Sequence, residues 1–218
     1  MSLLVTVVTK DGIIMASDSR TTWTHKDNTI TYQDGTKKTF ILNDKIGVST
    51  CRNASINKQT IEFHFNKFKE LHKDKTITKI PKLLKEYFLE LKPTCDIVFF
   101  VAGYDSKNKP HAYKVYTQQE IEKVNCSKPT SFWEGEKNFA SRAFGTLYVY
   151  NKYNYKRHQD YKLPIENFTL KKGVEYAKFI INTSIEYMKF FDVKQTIGGG
   201  IDVLAILPSG AFWYEKNN

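Results

Sequence analysis

Two side chains near the start of the sequence could do chemistry together, the hydroxyl of Ser2 and the carboxylate of Asp18. An apolar run over residues 3–8 is followed by the turn sequence Lys10-Asp11-Gly12, and a second apolar run then leads to Asp18. Because Asp-Gly tolerates the positive φ of a tight turn, this pattern predicts a β-hairpin. The hairpin would return Asp18 to the side of residue 2. Once the initiating methionine is removed, a free α-amine, a hydroxyl and a carboxylate would meet there.

The same stretch resembles a known family. The segment from Val5 to Arg20 is similar to the opening of proteasome β-type subunits, which are N-terminal nucleophile hydrolases. In that family a nucleophilic threonine begins the mature chain, followed by a strand, a Lys-Asp/Asn-Gly turn and a strand ending Ala-x-Asp. The resemblance places the family's nucleophile on Ser2 and its acidic residue on Asp18. An ordinary amphipathic hairpin at a domain edge would share the local pattern, so the rest of the chain has to decide.

Two further blocks carry the resemblance. The first is a strand beginning at Lys38, a turn, and a strand from Ile46 to Cys51. The spacing from Lys38 to Gly47 is the family's, so the catalytic lysine falls on Lys38, whereas Lys37 would point to the other side of the strand. The second block is Val-Ala-Gly-Tyr-Asp, four spacer residues and a proline, within two predicted strands that cover residues 95–103 and 111–116.

The remaining elements follow from periodicity and turn residues. We predict helices over residues 54–73, 78–91 and 169–190, and one from about Gly145 to Tyr155. We predict a polar loop over residues 23–35 and an irregular segment over 125–139. A glycine loop at residues 198–200 precedes two final strands. With the resemblance, this order implies a single α+β domain over residues 1–218, a four-layer αββα sandwich.

The composition is that of a folded globular protein without a membrane-spanning segment. Hydrophobic residues make up 41% of the chain, as in a folded globular protein. The longest apolar run, residues 97–102, is far shorter than the ~20 residues of a membrane span, and there is no signal peptide, so we expect a cytoplasmic protein without a membrane partner. The three cysteines are widely spaced. They favour neither a disulfide framework nor a metal site, and we expect no cofactor.

The net charge of +10 raises the possibility of polyanion binding. The 33 basic residues are, however, interleaved with 23 acidic ones, and no nucleic-acid-binding motif is present. Five tyrosines between residues 148 and 161, with basic neighbours, are a weak signal of the same kind. We therefore expect no specific nucleic-acid partner, and we interpret the tyrosines as the packing surface of a helix on its neighbours or on a partner subunit.

The resemblance implies hydrolysis of a peptide or small amide through an acyl-enzyme on Ser2. Its α-amine would take the proton, Lys38 would lower the pKa of that amine and of the hydroxyl, and Asp18 would hold Lys38. A backbone N–H near Cys51 and Arg52 would bind the oxyanion. The cleft would be lined by Ser19, Arg20, Thr21 and Thr22. The family's helical faces imply a homo-oligomer, either a ring or a dimer.

The sequence also departs from the family pattern. Serine replaces threonine at Ser2, and Arg52 replaces the glycine of the oxyanion turn. The supporting serine, aspartate and second serine fall on Phe144, near Lys194 (two residues from Asp192), and on Ile197. Three interpretations therefore stay open. The chain is an active hydrolase, a proteasome-like structural subunit without catalysis, or, much less favoured, a basic polyanion-binding protein.

Overall fold

The computed structural model describes residues 2–136, 148–151, 154–157, 163–190 and 194–217. Within these ranges there are three α-helices, α1 (Ile61–His72), α2 (Ile80–Glu90) and α3 (Leu170–Met188), and a 3-10 helix at Ile165–Asn167. The strands are β1 (Leu3–Val8), β2 (Ile13–Asp18), β3 (Thr21–Thr24), β4 (Ile30–Gln33), β5 (Thr39–Asn43), β6 (Ile46–Cys51), β7 (Ser55–Ile56), β8 (Gln59–Thr60), β9 (Val98–Tyr104), β10 (Pro110–Tyr116), β11 (Glu122–Val124), β12 (Thr130–Gly135), β13 (Tyr148–Asn151), β14 (Asn154–Arg157), β15 (Ile201–Leu207) and β16 (Gly210–Glu215).

The first five-stranded sheet has the order β12-β1-β2-β15-β16, with every neighbouring pair antiparallel. The predicted hairpin of β1 and β2 lies at its centre. The Thr9 side chain accepts hydrogen bonds from the Asp11 and Gly12 N–H groups, which closes the turn. Both strands are buried along their whole length because β12 and β15 flank them. The hairpin therefore forms a rigid base for the residues at its open end.

The second five-stranded sheet has the order β11-β10-β9-β6-β5 and is also antiparallel. Its centre is β9, a run of seven buried residues. Strand β6 joins β9 to β5, and Lys38 directly precedes β5. The predicted strands in this part of the chain are confirmed with small changes in their bounds.

Three buried clusters explain how the elements pack. The first combines α1 and α2 with one face of the second sheet, and the second combines α3 with one face of the first sheet. The third contains strand residues from both sheets and no helix residue. Successive residues of a strand alternate between clusters, as the two-residue period of a strand requires: Leu3 and Val5 pack with α3, whereas Leu4 faces the other sheet. The fold is mostly antiparallel sheet with three described helices, in agreement with the predicted α+β class.

The first helical region begins later than predicted. Residues 55–60 form the short hairpin of β7 and β8, whose turn residues Asn57 and Lys58 both have positive φ, at 50° and 65°. Such φ values are those of a type I′ hairpin turn. Thr60 then caps α1, its hydroxyl accepting the Phe63 N–H at 3.1 Å. The predicted second helix is confirmed, with Pro81 in its first turn.

Three other predictions are wrong. The polar loop over residues 23–35 contains part of the hairpin of β3 and β4. The irregular segment over residues 125–139 contains β12, which pairs with β1 along six residues. The predicted helix near residues 145–155 is instead the hairpin of β13 and β14, insofar as residues 148–151 and 154–157 are described. Tyr148 and Tyr150 have the two-residue period of a strand, which the prediction of a helix overlooked.

Among the described residues, no helix combines the length and the apolar character needed to cross a membrane.

Candidate active site

Residue 2 is held by strands on both sides of it. Ser2 directly precedes β1 and is 6% exposed. Its carbonyl oxygen accepts the Glu136 N–H at 2.8 Å, and the next N–H, that of Leu3, donates to Asp18 Oδ1 at 3.0 Å. Gly135 passes so close that a β-carbon at this position would lie 1.8 Å from the Ser2 carbonyl oxygen, and its φ is +106°. Only glycine fits here, so the end of β12 fixes the backbone of residue 2.

Asp18 lies at the centre of a buried polar cluster at the end of β2. Its Oδ1 accepts hydrogen bonds from the Leu3 N–H and from Lys38 Nζ, the latter at 2.9 Å. Its Oδ2 accepts the N–H groups of Arg20 and Gly198 at 3.2 and 3.1 Å. The carboxylate is fully buried, and four donors surround it. The hairpin thus brings Asp18 to residue 2, as the sequence indicated, and the strand register brings Lys38 to Asp18.

The electrostatic state of Lys38 is set by two opposing effects. The residue is 5% exposed, and burial lowers the pKa of its amine. The charge of Asp18 acts against this and raises it, but the net pKa stays below the ordinary value of 10.5. Lys38 Nζ also donates to the carbonyl oxygen of Arg20. A cation fixed in this way, in the wall of the cavity that Ser2 also lines, would favour loss of a proton from nearby groups.

A cavity of about 430 Å³ lies beside the ion pair of Asp18 and Lys38. Seven predicted site residues line it: Ser2, Arg20, Thr21, Thr22, Lys38, Cys51 and Arg52. Asp18 and Ser19 do not. Asp18 lies behind Lys38, and the Ser19 hydroxyl is directed at Gly199, where a β-carbon would lie 2.5 Å from it.

The lining also includes residues outside the predicted site, among them Lys37. The prediction that Lys37 points to the other side of the strand is wrong, because Lys37 and Lys38 both precede β5, where the alternation of a strand does not apply. Lys37 Nζ and Glu62 Oε1 form a half-exposed ion pair at 3.0 Å, and Thr50 and Trp23 also line the cavity. The Thr50 hydroxyl is buried and has no hydrogen-bond partner among the described residues. Glu62, Thr50 and Trp23 were not predicted, because only the meeting of β6 with α1 and with the hairpin of β3 and β4 brings them to one cavity.

Arg20 has a structural task at the edge of the cavity. Its guanidinium binds Asp34 through two hydrogen bonds of 2.8 and 2.9 Å, and it lies 5.0 Å from the ring centre of Tyr32. The Asp34 carboxylate raises the pKa of Arg20. The guanidinium also lies close to Gly198, where a β-carbon would be 2.5 Å from Arg20 Cζ. These contacts tie the hairpin of β3 and β4 to the loop before β15 and so fix one wall of the cavity.

The predicted oxyanion turn has an unusual backbone. Arg52 has a φ of +80°, in the region that glycine adopts without strain and an arginine rarely does. The residue that replaces the family's glycine therefore keeps a glycine-like conformation. Its neighbour Cys51 is buried, and burial raises the pKa of that thiol to about 12. Cys51 is thus a neutral part of the cavity wall at ordinary pH and not a second nucleophile.

The outer positions of the family pattern differ. Ile197 is a buried member of the cluster under α3, and Lys194 Nζ lies 3.5 Å from the Thr24 hydroxyl. Phe144 and Asp192 lie outside the described residues. Beside residue 2, the positions that the sequence analysis missed are Gly135 and Glu136. The glycine that follows Phe132, Trp133 and Glu134 was the available signal for the end of a strand.

Solved structures share this arrangement of sheets and helices. An Anbu Gly-1 mutant from Hyphomicrobium sp. strain MC1 matches with a TM-score of 0.72 at 10% identity, covering 100% of this chain and 86% of that one. Anbu from Yersinia bercovieri, called an ancestral beta-subunit, matches with a TM-score of 0.69 at 14% identity, covering 99% of this chain and 88% of that one. The chain has a proteasome-like fold.

At such low identity the likeness concerns the fold and leaves the activity to the site itself. No protein-family model matches the sequence, and no curated protein matches it.

Proposed function

We propose that the protein is an N-terminal nucleophile hydrolase that cleaves peptide or small-amide bonds after removal of Met1. The observation that carries this proposal is the buried Asp18–Lys38 ion pair, bonded through Asp18 to the amide that follows Ser2. Burying two charges is costly and needs full hydrogen bonding, so a buried pair below an open cavity suits chemistry better than stability alone. The proteasome-like fold supports the same conclusion.

The reaction has two stages. The Ser2 hydroxyl oxygen bonds to the substrate carbonyl carbon, and its proton passes to the α-amine of Ser2, directly or through a water molecule. The carbon–nitrogen bond of the substrate breaks, and the proton moves on to the departing amine. Water then attacks the acyl-enzyme ester, which releases the acid and restores the Ser2 hydroxyl. Lys38 lowers the pKa of the amine and of the hydroxyl by its charge, and Asp18 keeps Lys38 oriented.

The backbone amide near Cys51 and Arg52 would stabilise the oxyanion of both tetrahedral intermediates. Arg20, Thr21 and Thr22, at the start of the hairpin of β3 and β4, would present the edge along which an extended substrate lies. Ser19 would support the loop before β15, because its hydroxyl points away from the cavity and toward Gly199.

The remaining parts of the proposal extend the fold likeness. The three buried clusters support a four-layer order of helix, sheet, sheet and helix, in one domain. We propose a homo-oligomer, a ring or a dimer, in the cytoplasm. The substrate is a peptide or a small amide, with no nucleic acid, membrane or metal taking part.

The test is an intact mass measured before and after incubation with a peptide epoxyketone, which reacts with a hydroxyl and an α-amine on one residue. We expect loss of Met1 and a single adduct equal to the full mass of the probe. A matched Ser2→Ala variant keeps the amine and lacks the hydroxyl, so it should form no stable adduct. Retained Met1, or a free Ser2 that never reacts, would contradict the hydrolase and favour a proteasome-like structural subunit without catalysis.

A further inference from the structure

Arg52 combines a strained backbone with a partly exposed side chain that binds two carboxylates. Its φ of +80° lies where a β-carbon is unfavourable. Its guanidinium bridges two carboxylates, with Nη1 3.2 Å from Asp96 Oδ2 and Nη2 3.1 Å from Glu134 Oε1. The guanidinium also lies 5.8 Å from the ring centre of Tyr116. A planar group held from two sides and stacked on a ring has little freedom to turn.

The two carboxylates are themselves fixed. Asp96 accepts the Thr117 hydroxyl, the Gln118 N–H and the Gln119 side-chain amide, at 3.0, 3.0 and 2.9 Å. Glu134 is 3% exposed and accepts the Tyr116 hydroxyl at 3.3 Å. Each anchor therefore belongs to a rigid strand end: Asp96 is tied to the end of β10, and Glu134 lies within β12.

Glu134 also connects Arg52 to the proposed nucleophile. It directly precedes Gly135, which touches the Ser2 carbonyl, and the Glu136 N–H donates to that same carbonyl. The end of β12 thus binds residue 52 through a side chain and residue 2 through the backbone. Two residues on different sheets are held at a fixed separation by one short segment.

We propose that Arg52, Asp96 and Glu134 form a positioning clamp, which holds the backbone of residue 52 at positive φ and keeps its amide aligned with Ser2. The inference rests on the proposed function, since the aligned amide would be the oxyanion donor. It explains how an arginine can occupy a turn that suits glycine. The side chain contributes long-range contacts that enforce the conformation a glycine would adopt unaided. Arg52 would act through its own backbone and not by touching the substrate with its charge.

The test compares Arg52→Ala with Arg52→Gly. Both variants lose the clamp, but only glycine can keep positive φ without it. We expect Arg52→Ala to form the epoxyketone adduct about 100-fold more slowly than wild type, the order of effect of a misplaced catalytic group. Arg52→Gly should stay within about tenfold of wild type. If the charge of Arg52 bound substrate or merely stabilised the fold, both variants would slow equally, and equal rates would overturn the proposal.

A second variant guards against misfolding of Arg52→Ala. Glu134→Gln keeps the shape of the side chain and removes its charge, so it should slow adduct formation by about tenfold, less than the roughly 100-fold effect of a misplaced group. Glu70→Gln is the matched control, because it removes the α1 carboxylate of an exposed ion pair with Lys73, which directly follows that helix. An unchanged rate in Glu134→Gln, or an equal loss in Glu70→Gln, would count against the clamp.

Crystal structures of the Arg52→Ala and Glu134→Gln variants test the clamp independently of whether the protein is a hydrolase. The clamp predicts that residue 52 moves to negative φ in Arg52→Ala. If wild type forms no adduct but this movement occurs, the proposed function fails and the clamp stands as a backbone device. If residue 52 of the Arg52→Ala variant keeps a φ near +80° without its ionic contacts, the clamp fails whatever the activity.

Discussion

Removing Asp18 tests the electrostatic centre of the site without any assumption about substrate. In Asp18→Ala, Lys38 loses its buried counter-charge and keeps the Arg20 carbonyl as an acceptor. Leaving one charge of a buried pair uncompensated costs about 3–5 kcal/mol. Lys38 can limit the cost by losing its proton. From an ordinary pKa of 10.5, neutralisation at pH 7 costs at most about 5 kcal/mol, in agreement with that range.

The opposite truncation should cost less. In Lys38→Met, the Asp18 carboxylate still accepts three backbone N–H groups, from Leu3, Arg20 and Gly198. Lys38→Met removes two hydrogen bonds, to Asp18 and to the Arg20 carbonyl oxygen. At roughly 1.5 kcal/mol for each bond made by a charged group, the loss is about 3 kcal/mol. Asp18→Ala removes all four hydrogen bonds of the carboxylate and also leaves the Lys38 charge unpaired. The asymmetry between the two partners follows directly from the count of remaining donors and acceptors.

Urea unfolding at pH 7, followed by circular dichroism, measures both free energies of unfolding. For a chain of this size, the expected loss in Asp18→Ala lowers Tm by about 6–20 °C. Asp34→Ala is the matched control, because it removes a carboxylate from a half-exposed ion pair with Arg20 and should cost about 1 kcal/mol or less. A cost below about 1 kcal/mol for Asp18→Ala, or a larger cost for Lys38→Met than for Asp18→Ala, would contradict the assigned energetics of the buried ion pair.

The lowered pKa of Lys38 gives the same prediction a pH dependence. Between its folded-state pKa and 10.5, the unfolded chain binds more protons at this residue than the folded chain does. The contribution of Lys38 to stability therefore rises as the pH rises toward 10.5. The difference in unfolding free energy between wild type and Lys38→Met, measured from pH 7 to pH 10, should change in that direction. A difference that moves the other way would contradict the assigned cause, burial of the amine.

Two further outcomes test the surroundings of residue 2. Gly135→Ala should cost at least about 2 kcal/mol of unfolding free energy, from positive φ and from the clash of its β-carbon with the Ser2 carbonyl oxygen. Gly35→Ala has positive φ in open space and should cost about 1 kcal/mol. Equal losses of unfolding free energy, measured in urea, would contradict the close approach of Gly135 to the Ser2 carbonyl. Cys95 is exposed and should react at once with a thiol reagent, whereas the buried Cys51 should react only after unfolding. Because the pKa of Cys51 is about 12 in the folded chain and about 9 in the unfolded chain, its contribution to stability should be lost as the pH rises from 9 through about 12. Rapid labelling of Cys51 in the folded protein would disprove its burial.

The parts of the site that follow from the sequence are those that depend on local geometry. The Asp-Gly turn and its two apolar runs determine the hairpin, and the hairpin determines that Asp18 lies beside residue 2. The resemblance to proteasome β-type subunits indicated Lys38, because its spacing to Gly47 is the family's, and the register of β5 with β6 leaves it facing Asp18. In both cases fewer than two dozen residues separate the partners, so few alternative arrangements compete.

The parts that sequence reasoning missed depend on distant pairing. Strand β12 pairs with β1 from about 130 residues away, and its polar residues conceal the alternation that would identify a strand. Glu134 is buried although it is acidic, because Arg52 and Tyr116 are there to bind it. In a sequence pattern, an acidic residue such as Glu134 indicates an exposed position, so its burial cannot be predicted. The pairing of β12 with β1 also places Gly135 and Glu136 at Ser2. Because β12 was not predicted, these two residues, which fix the backbone of Ser2, were not predicted either.

Backbone strain supports the position of the site independently of any family pattern. The described non-glycine residues with positive φ are Asn28, Arg52, Asn57, Lys58, Lys92 and Asn108. Asparagine tolerates this conformation, and the two lysines occupy a hairpin turn and the residue after the C-cap of α2, where local geometry requires it. Arg52 has no such local reason: it follows a strand, has the largest of these φ values, and depends on two carboxylates from elsewhere in the chain. A strained conformation that long-range contacts maintain costs stability, and such strain is typical of functional sites. Arg52 lines the same cavity as Ser2 and Lys38.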